Sequence, residues 1–244
     1  SDKMKTIVQK FGGTSLATKE GRELCAKAVK QRKNEGYNVV VVVSAIGRSG
    51  EPYATDTLKE LATETFSAFS NKDSDLLLSC GELISAVLMV QTIKKIGLKA
   101  EALTGFQAGI LTDENNGNSN ILQIDTSNLL QILDSGTIPV VAGFQGISSS
   151  GKITTLGRGG SDTTACALGV ALEADFIEVF TDVPGIMSAD PNKIPESKLL
   201  NEISYLEAFQ MANQGANVIH PQAAEFSQNA DIPLIIRTAF QERS

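Results

Sequence analysis

Leu156-Gly157-Arg158-Gly159-Gly160-Ser161-Asp162-Thr163-Thr164-Ala165-Cys166-Ala167-Leu168-Gly169-Val170-Ala171-Leu172-Glu173-Ala174 is a glycine-rich turn that runs straight into a helix of small apolar residues. Glycines let backbone N–H groups approach an anion closely, and a helix N-terminus carries partial positive charge. Arg158 adds a planar fork matched to a carboxylate or phosphate. Asp162 is expected to cap the helix in its first turn and to hold a cation there. Upstream, residues 144–147 and 152–155 are joined by Ser148-Ser149-Ser150-Gly151 and read as a hairpin that feeds the loop. Downstream of the helix at 161–173, residues 176–180 form an apolar strand ending in Thr181-Asp182-Val183-Pro184-Gly185-Ile186.

The same alternation extends toward the N-terminus. Residues 5–9 read as a strand ending in Lys10-Phe11-Gly12-Gly13-Thr14-Ser15, a lysine followed by paired glycines and two hydroxyls. That order can cradle a phosphate, although it is not the P-loop pattern, in which the lysine comes after the glycines. A helix at 18–34 places Leu24, Ala28 and Cys25 on one face and has Gly36 after its end. Residues 39–43 are continuous valine, as expected of a strand buried on both faces of a parallel sheet. That strand delivers Ser44, which reads either as a strand-terminating hydroxyl or as a ligand group. Residues 45–57 are turn-rich, and Asp75 is expected to cap a long helix that continues to about Ile96 and carries Glu82. Further strands are expected at 99–103, 138–142 and 234–237, with helices at 127–133, 204–213 and 220–229. Residues 112–120 read as a polar surface loop and 187–202 as a long loop. The fold class that follows is α/β, a three-layer sandwich with a mainly parallel central sheet.

Composition narrows the function. The 244 residues are 42% hydrophobic, enough for one large domain or two intimate ones. A formal charge of −7 and a pI near 4.9 speak against broad nucleic-acid binding. Apolar runs such as 39–43 are far too short to span a membrane. Cys25, Cys80 and Cys166 are odd in number, widely spaced and set among apolar neighbours, so reduced core cysteines in a cytoplasmic protein are expected, with no metal site. His220 is the single histidine, which leaves no Ser-His-Asp set.

In open α/β sheets ligands bind at the carboxyl ends of the strands, where Lys10, Ser44, Thr181 and Asp182 gather. Two glycine-rich anion sites, with Lys10 and Arg158, point to a polyanion such as a nucleoside triphosphate. Glu82 can meet an ammonium and Arg158 a carboxylate, which together make a zwitterion site. Glu82 otherwise reads as a solvated acid near a helix start. Phosphoryl transfer by positioning and charge stabilisation fits this set, with Mg2+ bridging phosphates.

The segments Lys10-Phe11-Gly12-Gly13-Thr14-Ser15, Ser79-Cys80-Gly81-Glu82, Thr155-Leu156-Gly157-Arg158-Gly159-Gly160-Ser161-Asp162 and Phe180-Thr181-Asp182-Val183-Pro184-Gly185-Ile186 resemble the aspartokinases of the amino acid kinase family. The resemblance runs from Thr6 to about Phe240. Tyr53-Ala54-Thr55-Asp56-Thr57-Leu58 looks most like the bacillus-type enzymes of diaminopimelate and lysine synthesis. Acetylglutamate, uridylate and carbamate kinases share the family fold but not this set of motifs.

The resemblance implies ATP-dependent phosphorylation of the L-aspartate β-carboxylate to 4-phospho-L-aspartate, a first step toward lysine, threonine and methionine. Lys10 would lie against the transferring phosphoryl group and Asp162 would position Lys10. Glu82 and Arg158 would bind the ammonium and α-carboxylate of aspartate, with Thr55 and Ser161 assisting. Gly12 and Gly13 would donate to the phosphates, and Ser44, Thr181 and Asp182 would face the nucleotide. An amino-acid-binding part at about 1–150 and a nucleotide-binding part at about 151–240 are implied, as is a homodimer or other homo-oligomer without nucleic acid or membrane. Family members usually continue into regulatory ACT domains, and none is expected in a chain ending at Ser244. Asn217 stands where aspartokinases usually carry lysine, and Asn192 and Gln222 where they often carry arginine. The alternatives are a sister kinase with another acidic substrate, or a catalytically weak ligand-binding or partner subunit.

Overall fold

The valine run lies near the middle of the main sheet, where side chains on both faces of a strand are shielded from water. In the computed structural model, which describes residues 5–180, 202–203 and 229–237, every residue of that strand is buried. The elements are β1 (Thr6–Phe11), α1 (Gly13–Leu16), α2 (Lys19–Asn34), β2 (Asn38–Val43), α3 (Thr55–Thr65), α4 (Asn71–Lys95), β3 (Ala100–Leu103), β4 (Ile110–Thr112), β5 (Ile121–Ile124), α5 (Ser127–Asp134), β6 (Ile138–Ala142), β7 (Gln145–Ser148), β8 (Ile153–Thr155), α6 (Gly160–Ala171), β9 (Phe176–Phe180), β10 (Glu202–Ile203) and β11 (Leu234–Arg237). The main sheet has the order β10-β11-β9-β1-β2-β6-β3. All its pairings are parallel except that of the edge strand β10 with β11. A second sheet, β5-β4-β7-β8, carries the hairpin that feeds the glycine loop.

Alternation along the central strands separates two cores. Ile7, Phe11, Val39, Val41 and Val43 pack with Leu24, Cys25 and Ala28 of α2 and with Met89 and Ile93 of α4. Val8, Val40 and Val42 pack with Leu129 and Ile132 of α5 and with Ala165, Cys166 and Leu168 of α6. Helices on both faces of a mostly parallel sheet make the three-layer α/β sandwich. Lys10 shares the α6 face with Val8, and Gln9 shares the opposite face with Ile7.

The structure corrects several expectations. Asp75 is not a cap: α4 begins at Asn71, and the N-cap is Ser70, whose hydroxyl accepts from the Asp73 backbone N–H at 3.1 Å. Asp162 does not cap α6 either. Gly159 is the N-cap, in a left-handed conformation (φ 70°) that glycine adopts without strain, and no side chain caps the end. Cys25 and Cys166 are buried, but Cys80 is exposed. The loop at 112–120 is flanked by β4 and β5, strands that are too short to show a pattern. α4 is long and apolar enough to cross a membrane by length and composition, yet it packs against β3, β6, β8 and α2 and holds two buried acids, Asp75 and Glu82. The helices expected at 204–213 and 220–229, the loop at 187–202, and Thr181, Asp182, Asn192, Asn217, His220 and Gln222 lie outside the described residues or almost wholly so.

Candidate functional site

The carboxyl ends of β1, β2 and β6 open onto one cleft of about 480 Å³. Lys10, next to last in β1, projects from the α6 face of the sheet. Its Nζ lies 3.0 Å from Oδ1 of Asp162, which stands in the first turn of α6. Each side chain is 13% exposed, so the pair is dry on most sides and open toward the cleft. No side chain among the described residues caps α6, so its first backbone N–H groups, those of Gly160, Ser161 and Asp162, are available to an anion. The 45–47 loop closes over Gly13, where a Cβ would overlap the Ala45 carbonyl oxygen.

The structure brings most of the expected residues together. Lys10, Gly13, Ser44, Thr55, Glu82, Arg158, Ser161 and Asp162 all line the cleft. Gly12 is buried beside it as the N-cap of α1. Thr181 and Asp182 lie outside the described residues. Arg158 is exposed and has no ion-pair partner among the described residues. Glu82 is 2% exposed, and its Oε2 has no hydrogen-bond partner among the described residues. Burial pushes its pKa up to about 8, partly offset by backbone hydrogen bonds at Glu82 and Ala45. A buried acid facing a cleft without a counter-charge is suited to an incoming ammonium, which would supply the missing positive group.

Asp75, Gly117 and Phe144 were not singled out from the sequence as site residues. Asp75 is 1% exposed and accepts from the Asn116 side chain, the Gly117 and Thr155 backbone N–H groups and the Thr155 hydroxyl. Two acids seven residues apart on an otherwise apolar helix share one face, and that spacing was the available signal. Phe144 follows β6 with φ 72°, an uncommon conformation for a bulky residue, and lines the cleft beside Gly160. Its backbone N–H donates to the Thr164 hydroxyl at 3.1 Å, and its carbonyl accepts from Leu156 at 2.8 Å. No local sequence pattern announces a left-handed phenylalanine.

A lysine–aspartate pair under an open helix N-terminus, at the strand ends of a parallel sheet, is a phosphate-handling arrangement. The family model described as the amino acid kinase family matches residues 5–238. The chain belongs to the amino acid kinase family. It is 48% identical over 237 residues to aspartokinase 1 of Bacillus subtilis (strain 168), covering 97% of this chain and 59% of that protein. Against the aspartokinase of Geobacillus stearothermophilus the identity is 45%, over 98% of this chain and 57% of the relative. The chain thus spans somewhat over half the length of these curated relatives. Among solved structures, the aspartate kinase from Synechocystis aligns with a TM-score of 0.73 at 44% identity, over 95% of this chain and 38% of that one. Escherichia coli aspartokinase III, solved in complex with aspartate and ADP, aligns with a TM-score of 0.71 at 26% identity, over 98% of this chain and 65% of that one.

The described lining of the cleft, which includes Lys10, Glu82 and Asp162, assembles no resident metal site. Among the described residues there is no group of three or more histidine, cysteine, aspartate or glutamate side chains placed to bind an ion. Asp162 is already engaged by Lys10, and Glu82 lies buried in the cleft wall.

Proposed function

We propose that this amino acid kinase chain transfers the γ-phosphoryl group of ATP to the β-carboxylate of L-aspartate, giving 4-phospho-L-aspartate and ADP. One observation carries the reading: an unpaired buried carboxyl (Glu82) and an open guanidinium (Arg158) line the same cleft as the Lys10–Asp162 pair. The first two suit the ammonium and α-carboxylate of an amino acid, which leaves its side-chain carboxylate for the reaction. The similarity to aspartokinases over almost the whole chain supports the choice of aspartate.

In this reading a β-carboxylate oxygen attacks the γ-phosphorus, the bond from phosphorus to the bridging oxygen breaks, and ADP leaves with the electron pair. The nucleophile is already an anion, so no base is needed to activate it. Lys10 then neutralises charge that builds on the transferring group, while Asp162 fixes the ammonium of Lys10 in place. The N-terminus of α6 and Gly12 and Gly13 supply backbone donors, and Thr55 and Ser161 flank the amino acid. Ser44 faces the nucleotide, as do Thr181 and Asp182 from beyond β9. Magnesium would arrive with the phosphates of ATP, held by their oxygens and by water. A cytoplasmic homo-oligomer that commits aspartate to lysine, threonine and methionine synthesis completes the reading.

The test is an ATP-dependent assay with hydroxylamine trapping of the acyl phosphate, run on aspartate, glutamate and N-acetylglutamate. Hydroxamate formed with aspartate alone is the expected result. Preferential turnover of another acid would reassign the substrate, and no turnover at all would make the chain a binding subunit.

A further inference from the structure

Asp75 lies inside α4, two helical turns before Glu82, and yet its contacts are to a different part of the chain. Its Oδ2 accepts from Asn116 Nδ2 at 2.8 Å, from the Gly117 backbone N–H at 3.0 Å and from the Thr155 backbone N–H at 3.0 Å. Its Oδ1 accepts from the Thr155 hydroxyl at 2.6 Å. Charge-assisted hydrogen bonds of this kind are the stronger ones; here the two from Thr155 are buried and those from Asn116 and Gly117 partly so. A carboxylate satisfied this fully does not need a substrate, so its function is to hold protein against protein.

What it holds is the arginine-bearing loop. Thr155 is fixed on both sides, since its carbonyl accepts from the Ser119 backbone N–H at 3.0 Å. Ser119 and Leu156 continue as a bridged pair, and a Cβ on Gly157 would overlap Oδ1 of Asn118. Asn116 makes a second bond, from its Nδ2 to the Ile153 carbonyl at 3.1 Å. The 116–119 loop and residues 153–157 are thereby clamped together on one carboxylate, immediately before Gly157 and Arg158 enter the cleft. Glu82 is on the same helix, about 10 Å further along at 1.5 Å per residue. Helix α4 therefore acts as a caliper, with Glu82 as one jaw and the root of the Arg158 loop, seated on Asp75, as the other.

We propose that Asp75 is a positioning residue that sets the distance between Glu82 and Arg158, and so the fit of an α-amino acid's ammonium and carboxylate. This rests on reading those two residues as the amino-acid site. Because the clamp touches neither Lys10 nor Gly13, it acts on the amino acid and not on the nucleotide.

The test separates KM for aspartate from KM for ATP in the 244-residue chain carrying Asp75→Ala, Asp75→Asn or Thr155→Val. Asp75→Ala is expected to raise KM for aspartate about tenfold or more while KM for ATP changes less than about twofold. Asp75→Asn keeps an acceptor of the same shape but loses the charge, and should raise it about threefold. Thr155→Val removes only the hydroxyl bond and should match the asparagine variant, with no further loss when the two are combined. If Asp75→Ala does not fold, the two milder variants carry the test. Amide hydrogen exchange supplies a readout independent of activity: exchange should quicken at 115–119 and 155–160 and stay slow in β1 and β2. Unchanged exchange at those loops would overturn the proposal, and so would both KM values rising by the same factor. If the unmodified chain turns over no aspartate, the substrate reading falls by itself, and the exchange pattern still decides whether Asp75 holds the loop.

Discussion

Two buried carboxylates stand on opposite sides of this molecule's chemistry. Glu178, in β9, is wholly buried and fully partnered. Its Oε2 lies 2.8 Å from Nη2 of Arg32 and 2.6 Å from Nε of Arg237, and its Oε1 accepts from Gln9 at 3.1 Å and from Arg32 Nε at 3.0 Å. Burial opposes its ionisation, but the two guanidinium groups win and hold its pKa below the ordinary glutamate value. Glu82 is nearly as buried, and burial instead raises its pKa to about 8 because no cation answers it. The same side chain is thus structural where its charge is matched within the fold, and a site where the match is left to a ligand.

The widest break in this comparison is Glu178→Leu. Removing the carboxylate that the Arg32 and Arg237 guanidiniums share should cost about 3–5 kcal/mol of stability. Denaturant melts would show it, while the KM values of the protein that remains folded should not move. A large rise in KM for aspartate would mean that the two regions are not separate.

Lys10→Ala should do the reverse, lowering kcat with little change in melting temperature. The expected loss is on the order of 2–4 kcal/mol in the transition state, roughly a hundredfold or more. A variant with near-normal kcat would remove Lys10 from the chemistry.

Glu82 sharpens the contrast through pH. Its folded pKa lies above the unfolded value, so its contribution to stability is complete below the unfolded pKa and is lost as pH rises toward about 8. Unfolding free energy should fall across that window by at most about 1.4 kcal/mol per pH unit, and Glu82→Gln should abolish this component of the slope. In the unmodified chain, KM for aspartate should fall as pH rises through about 8 and the carboxylate becomes available to the ammonium. A KM flat from about pH 6.5 to 8.5 would show that Glu82 does not titrate in that range, and a KM unchanged in Glu82→Gln would place the ammonium elsewhere.

The smallest expected effect is that of Asn217→Lys, which would add a charge where aspartokinases usually carry lysine. It should lower KM for ATP by about tenfold or less, with that for aspartate unchanged. Calorimetry at low and physiological salt would show whether Lys10 and the glycine loops already saturate the phosphates.

Much of this was written in local pattern. The uninterrupted valines of β2, the apolar run of β9 and the glycines before α6 each match one neighbourhood rule, and the strands that were expected fell within a residue or two, whereas β4, β5 and β10 were not expected. Lys10, Glu82, Arg158 and Asp162 were legible because their residue types are costly in those settings without a purpose. Asp75 was misread for the opposite reason. An aspartate near a helix start fits the capping rule, and only its bonds to residues 41 to 80 positions away reveal another use. Phe144 and the short strands β4 and β5 depend on tertiary contacts that no window of sequence contains.

The placement of β1 also bears on how the chain reaches this state. β1 pairs with β2, which follows it closely, and with β9, which begins at Phe176. During synthesis β1, β2, β3 and β6 can assemble from the first 142 residues, but the other flank of β1 stays open until β9 emerges. At about 5–20 residues per second, the stretch from Ala142 to Phe180 takes roughly two to eight seconds. Through it, an unpaired row of backbone groups faces whatever strand arrives first. The element that later carries the reacting lysine is, for that interval, the nascent chain's most exposed template for mispairing.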